Sequence, residues 1–479
     1  YDQGSILGKQ KLDLGGYLSS EYAHSGKHSV LLTKNKAFGL STEFSGIHGN
    51  ERFKVSVWRK GTSEKSALII QGDKAYSLYQ AEKNAVEIKE DGWEKLETFV
   101  DIPPNIISFK VYAWNISEDS VYFDDLRIQQ VMPQEFPSYA GEPRIHLYFT
   151  DSKMKRFNQK RIIAFNNGVH ISDGEWMKGI MSDESNVMPI KARFKGDWLD
   201  HLQGQKWSFR IKMRDDYTFN RMRVFSVQNP NTRHFLHEFI SHQLFDQEDV
   251  LTTRYGFTPM FLNGKSIGLY AWEEHFAKQL LEYNLRREGP IVKFDEDPFW
   301  GVQQINVLDK MWVQLPYYET SRVIAFGMGK TLAKPNLKSQ FSIAESLMTQ
   351  YKNHEAPIEE LFNIEVLAKY WALNDIINGR HGLAWHNQRM YYNPVLCKLE
   401  PINFDNFTDD FDKSEDRALL SASLLKDKRR DGGNQLLKSV FTSPVLLERY
   451  FYYLEKYTEK SFIDDFLNKQ PKIVPDKNV

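Results

Sequence analysis

The chain has 479 residues, 41% hydrophobic and 26% charged, with a formal net charge of -1 and one cysteine, Cys397. Its length allows two or three domains with ordinary cores, and its cysteine count excludes an intrachain disulfide or a cysteine-based zinc site. Near-zero net charge offers no global field for nucleic acid or an anionic membrane, and no run reaches the roughly 18 apolar residues of a membrane span. The chain opens on Tyr1 rather than Met, so a signal peptide removed on export is expected, and with it a periplasmic or cell-surface location.

Residues 1–130 read as strands. "HSVLLT", "RFKVSVWRK", "SALIIQG", "KLETFVDI", "ISFKVYAWN" and "SVYFDDLRI" alternate apolar and polar residues between Gly, Asn and Asp clusters, the pattern of an all-β jelly-roll sandwich. "SSEYAHSGKHSVLL" and, about ninety residues later, "VYFDDLRI" resemble the ends of carbohydrate-binding-module sandwiches. That resemblance implies a surface glycan as a partner, and the aromatic richness of the strand and loop positions suggests that a sugar would stack on Trp58, Tyr76, Tyr79, Trp93 or Trp114. Trp58 sits inside an apolar strand, where core is an equal reading. Asp124 and Asp125 are a possible structural Ca2+ site, although two carboxylates fall short of the roughly six to eight oxygens that ion takes.

The proline-rich stretch 131–144 reads as a linker. A second unit, 145–479, divides into a β-rich lobe (145–272) and a helical lobe (273–479). Strands are predicted at 145–149, 161–171, 189–195 and 206–214, and a helix near 232–245. Asn263-Gly264 marks a hairpin between 254–263 and 266–272. "FSIAESLMTQYKN" and "NIEVLAKYWALNDIING" carry helical spacing, each after an Asn or Ser suited to capping.

Four stretches carry candidate chemistry. Lys206, Arg210 and Lys212 share one face of a predicted strand and could hold phosphate, with a solvated sheet face as the plainer reading. Glu238 borders an apolar helical stripe of Phe235, Leu236, Phe239, Ile240 and Leu244, where it either marks a helix edge or pairs a lysine. Glu273 and Glu274 point to opposite faces of a strand, so they cannot serve as a glycosidase pair. Last, "HGLAWHNQRMYYNP" (381–394) and "EPINFDNFTDDFD" (400–412) flank a predicted hairpin whose return brings Asn387 towards Asp405. An amide and a carboxylate are hard oxygen ligands suited to Mg2+. His381 and His386 lack the helical spacing of a zinc pair and read as hydrogen-bonded loop histidines.

"RFKGDWLDHLQGQKWSFRIKM", "FSVQNPNTR", "LNGKSIGLYAWEEHF", "REGPIVKFDED" and "WHNQRMYYNP…LEPINFD" together resemble, in order, the CotH family of spore-coat-type atypical protein kinases. The resemblance implies a divergent α+β kinase-like fold, ATP with Mg2+ or Mn2+, and phosphoryl transfer to a protein phosphoacceptor. It further implies phosphate contacts from Lys206 or Lys212, an orienting role for Glu238, and metal ligation by Asn387 and Asp405, with Asp409 or Asp410 as a second carboxylate. One departure stands out. "NGRHGLAWHN" has no aspartate where many family members carry the loop base. His381, with an ordinary pKa of about 6.5, or Asp375 is left for that role, and transfer is expected to be weak or lost. The alternative is a non-catalytic surface protein that binds glycan or protein and keeps the kinase fold as scaffold.

Overall fold

In the computed structural model, residues 12–47, 51–61, 65–74, 78–103, 105–131, 144–183, 185–309, 318–407 and 442–469 are described. Period-two alternation in the first part yields two antiparallel sheets. The strands are β1 (Tyr17–Ser19), β2 (Ser29–Leu32), β3 (Phe38–Ser45), β4 (Arg52–Lys60), β5 (Ser66–Gly72), β6 (Tyr79–Glu82), β7 (Ala85–Ile88), β8 (Trp93–Asp101), β9 (Ser108–Asn115) and β10 (Val121–Val131). A six-stranded sheet, β1-β2-β10-β4-β8-β7, faces a four-stranded one, β3-β9-β5-β6. Val55, Val57, Leu68, Ile70, Leu96, Val111 and Phe123 fill the space between them.

Behind the six-stranded sheet, Trp58, Trp93 and Tyr122 form a smaller cluster. His24 stacks on Trp58 at 4.1 Å and Lys89 lies over the same ring, so Trp58 and Trp93 are not open to a sugar. The Ca2+ expected at Asp124 and Asp125 does not fit. Asp124 accepts from the His24 and Ser25 amides, and Asp125 from His24 Nδ1 and Ser25 Oγ, all within 3.1 Å. A shell of donors is the reverse of the acceptor shell that Ca2+ requires. Tyr76 lies outside the described residues.

After β11 (Ile145–Tyr148) comes α1 (Asp151–Asn167), where a strand at 161–171 was expected. Phe157, Arg161, Ala164 and Phe165 turn inward at helical spacing, while Ile162 and Ile163 stay exposed. Two adjacent isoleucines mimic a strand locally, but the longer period decides. The helix also meets the sandwich: Lys74 Nζ donates to Asn166 Oδ1 at 3.0 Å.

Next come β12 (Met177–Ser182), β13 (Val187–Phe194), β14 (Phe209–Met213) and β15 (Val224–Gln228), then α2 (Leu236–Gln247), β16 (Tyr255–Leu262) and β17 (Lys265–Glu274). The strands close a barrel in the order β11-β12-β13-β14-β15-β17-β16, sealed by parallel pairing of β11 with β16. Asn263 and Gly264 both take positive φ (48° and 81°) in the β16–β17 turn, as a two-residue hairpin with matching twist requires. Ile190, Phe194, Phe209, Ile211, Phe225 and Tyr270 fill the barrel. The opposite face carries a cross-strand row in which Arg193 pairs Arg210, Arg210 pairs Ser226, and Ser226 pairs Glu273.

The rest is largely helical: α3 (Lys278–Tyr283), β18 (Ile291–Phe294), α4 (Asp297–Asp309), β19 (Val323–Ala325), α5 (Met328–Ala333), α6 (Pro335–Asn353), α7 (Ile358–Leu361), α8 (Ile364–Ile376), β20 (Met390–Asn393), β21 (Lys398–Pro401), α9 (Pro444–Thr458) and α10 (Lys460–Lys469). A small sheet, β19-β18-β20-β21, packs with α6, α8 and α9 around Leu367, Trp371, Leu399, Leu446 and Tyr450. The expected side-chain caps do not form. Asn363 stands at the start of α8 but donates to Glu400 at 2.9 Å, and α6 begins on Pro335, whose fixed φ suits a first helical position. Among the described residues no helix is long and apolar enough to cross a membrane.

Candidate functional site

The outer face of the barrel and the 381–407 region enclose a cleft of about 970 Å³, lined by Lys195, Asp197, Arg210, Arg233, His381, Asn387 and Asp405 among others. Its barrel-side rim is the Lys195–His201 turn. Gly196 there has φ 89°, and any side chain on it would run into the His201 ring. His170 braces the turn, its Nδ1 contacting the Gly196 carbonyl and its amide donating to the Asp197 carbonyl, each at 2.7 Å. Trp198 meets Trp300 of α4 edge-on at 5.3 Å, joining the rim to the helical part.

Alternation along β13 continues past its end, so Lys195 emerges on the same face as Arg193. There it pairs with Glu273 of β17 and donates to Gln228 of β15. Burial brings the Lys195 ammonium down to about 8 against the pull of Glu273. Glu274, on the other face, pairs with Arg254 at 2.6 Å, as adjacent strand residues must.

α2 buries only the C-terminal part of its expected apolar stripe: Leu244 joins the core, but the start of the stripe does not. Phe235 and Leu236 before and at its start are 52% and 47% exposed, while Glu238, Ser241 and His242 are buried. Each buried polar group has a partner, which is the condition for burying it. Glu238 accepts from the Asp405 and Asn406 amides, both at 2.9 Å, and from His242 at 3.2 Å. Asn403 is bonded to Ser241 and Thr252. Among the described residues no lysine pairs with Glu238, and Lys195 pairs with Glu273 instead.

This knot holds Asp405 at φ 56°, a conformation that Asp tolerates better than most residues. Arg233 Nε lies 2.7 Å from its Oδ1 and His381 Nε2 3.4 Å from its Oδ2. Burial pushes the Asp405 carboxyl up, but Arg233 and His381 override it and hold the group well below the usual carboxylate range. Asn387 donates its Nδ2 to the His381 carbonyl at 3.1 Å, and the His381 ring stacks on Phe407 at 4.3 Å. His381 thus links the two expected metal ligands. Among the described residues Asp405 Oδ1 accepts no well-aligned hydrogen bond, although Arg233 stands against it. Asn387 lines the same cleft, so an amide and a carboxylate, hard oxygen ligands of the kind Mg2+ or Mn2+ takes, face one space.

The other expected residues divide. Arg210 lines the cleft. Lys206 precedes β14, outside that lining, and donates to the Leu269 carbonyl at 3.2 Å. Lys212 shares Arg210's face but is exposed and lies outside the lining. Asp375 belongs to α8 and accepts from Tyr450 Oη at 2.5 Å, also outside the lining. Asp409 and Asp410 lie outside the described residues. Lys195 and Arg233 were missed, as were Lys293 and Arg389, which both meet Glu296. Glu238, His242 and Glu273 bring potential ligand atoms within 4.8 Å of one another, but the Asp405 and Asn406 amides hold both Glu238 oxygens, Thr252 contacts His242 and Lys195 pairs with Glu273.

The 378–383 loop runs against the Asp405 segment with no room for side chains at its glycines. A Cβ on Gly379 would overlap the Asn406 amide, and one on Gly382 would sit 2.7 Å from the Phe404 carbonyl. A second depression, about 460 Å³, crosses the open face of the four-stranded sheet at Phe38, Gln71, Lys110 and Tyr112. Trp114 stacks on Phe38 at 6.1 Å, and Tyr79 flanks Gln71 on β6.

Asp405→Ala leaves Arg233 buried without its counter-charge. Chemical denaturation should show a loss of about 3–5 kcal/mol, part of it regained in Asp405→Ala/Arg233→Met; an unchanged unfolding midpoint in the single variant contradicts the pairing. Gly382→Asp should not install a loop base. Forcing a side chain against the Phe404 carbonyl should cost about 1–3 kcal/mol, seen as a lower melting temperature with no gain in phosphoryl transfer.

Solved structures resembling the N-terminal region are carbohydrate-binding modules. A family 16 module is 17% identical, covering 23% of this chain and 83% of its own at a TM-score of 0.18. The CBM22-1 xylan-binding domain from Paenibacillus barcinonensis Xyn10C is 21% identical, covering 26% and 85% at a TM-score of 0.19. No curated protein matches the sequence. The profile of the CotH kinase protein family matches residues 192–472, a span that takes in the cleft rim, the Glu238 helix and the Asn387–Asp405 hairpin. The chain therefore belongs to the CotH kinase protein family.

Proposed function

We propose that this chain is a kinase-like protein that binds ATP with Mg2+ or Mn2+, with phosphoryl transfer to a protein hydroxyl weak or lost. The observation that carries this reading is the meeting of Asp405 and Asn387 around His381 in a cleft rich in cations. Asp405 and Asn387 would hold the divalent ion, which would offset charge on the phosphates. Lys195 and Arg210 face the same space as further cations for an anionic ligand.

Transfer is the weaker half because the loop carries no carboxylate from Asn378 to Asn387 and its glycines leave no space for one. Losing a positioned base typically costs about 10²–10⁴-fold. Of the two substitutes, His381 lines the cleft while Asp375 is engaged by Tyr450. That favours His381 as the proton acceptor in any residual transfer.

A second reading, glycan binding by the sandwich, draws on the depression beside Phe38, Tyr112 and Trp114, where stacked rings offer flat apolar faces with polar neighbours. The two readings are separable. ATP with Mg2+ or Mn2+ should raise the melting temperature, since a ligand that binds the folded state stabilises it. Asn387→Ala should weaken that metal-dependent binding at least tenfold while the ligand-free melt stays near wild type. A chain that responds to glycans but to no nucleotide–metal pair would sink the first reading.

A further inference from the structure

The cations of the cleft fall into two groups. In one, each cation has a carboxylate: Arg233 has Asp405, and Lys195 has Glu273. In the other, Arg193 and Arg210 are cross-strand partners on one face, and both line the cleft. Neither is in ion-pair contact with a carboxylate among the described residues. Arg193 donates to Ser172 Oγ at 3.0 Å and lies over the Trp176 ring at 5.0 Å. Arg210 donates to His275 Nδ1, which can accept only while its ring is neutral. Burial, with Arg210, Arg193, Lys195 and Arg389 around it, holds His275 well below the ordinary histidine range. The Nε atoms of Arg193 and Arg210 are buried without an acceptor. Asp197 is on the same rim, where burial raises its carboxyl to about 7, and it makes no ion-pair contact with either arginine.

Two half-buried guanidiniums on one face, each with a buried Nε that has no acceptor and no carboxylate in ion-pair contact among the described residues, leave donors for an incoming anion. We propose that Arg193 and Arg210 form a metal-independent phosphate subsite in the cleft. Two planar donor forks match the several oxygens and double charge of a phosphate group better than a single carboxylate does. The proposal deepens the nucleotide reading of the same cleft, but its ligand is the phosphate itself, from a nucleotide tail or from a phosphorylated acceptor.

The test uses the full chain in EDTA at low salt, titrated with inorganic pyrophosphate and followed by calorimetry and thermal melting. A saturable rise in melting temperature is expected. Arg210→Met should weaken pyrophosphate binding at least tenfold in a variant that still melts cooperatively. Arg193→Gln should also weaken binding, and Lys178→Met, on an exposed position of β12, should not. Competition by ATP in EDTA would assign the phosphate to a nucleotide tail, and competition by a phosphoserine peptide to an acceptor; either supports the subsite. No saturable response, or equal affinity in Arg210→Met and wild type, overturns it. Pyrophosphate binding without any response to ATP and Mg2+ would leave the subsite standing and remove the nucleotide reading.

Discussion

A single carboxylate, Glu238, ties the barrel side of the cleft to its helical side by accepting the Asp405 and Asn406 amides across 167 and 168 residues of sequence. Those two donors belong to a turn with positive φ at Asp405, where no regular ladder could satisfy them, and a buried amide without an acceptor is costly. The carboxylate in turn requires donors, and the amides with His242 supply them. Fixing this turn fixes where Asp405 points, and so sets its approach to Arg233 and His381. The 378–383 loop then packs against the same turn, which is why glycine stands at 379 and 382.

Pairing of buried charge explains much of the rest of the cleft. Lys195–Glu273, Arg233–Asp405 and the Glu296 bridge to Lys293 and Arg389 each put two desolvated charges together. Such pairs contribute little net stability relative to apolar packing, yet removing one partner is expensive. They hold a fixed arrangement of charge in a cleft wide enough for a ligand. The Arg193–Arg210 row departs from that pattern in having no carboxylate in ion-pair contact among the described residues, and it is there that the proposed anion would bind.

The sequence shows what depends on local chemistry. The Asn263-Gly264 turn, the hairpin from Met390 to Pro401 and the alternating strands of the sandwich follow from turn residues and period-two patterning, and all stand where that patterning puts them. Long-range polar satisfaction is harder to see. α2 reads as an apolar stripe with a glutamate at its edge, but its glutamate, serine and histidine face inward because their partners lie near residues 252 and 403–406. The adjacent Ile162 and Ile163 resemble a strand until the spacing of Phe157, Arg161, Ala164 and Phe165 is followed further. Lys195 was legible in principle. Lys191, Arg193 and Lys195 alternate along β13, and the register of β13 with β14 carries that face to Arg210; the cations of 206–212 drew attention to the next strand instead. Asn387 and Asp405 line one cleft, as a hairpin that returns its ends together suggested, whereas the glycine contacts of the loop required three-dimensional packing to be seen.

Hydrogen exchange in Glu238→Gln tests the clasp most directly. A glutamine can offer one oxygen to the turn but brings an N–H against the second amide. The Asp405 and Asn406 amides should therefore exchange at least tenfold faster than in wild type while the barrel strands keep their protection. Unchanged protection at both amides would mean that the turn is held by something other than Glu238, and the account of how Asp405 is positioned would fail.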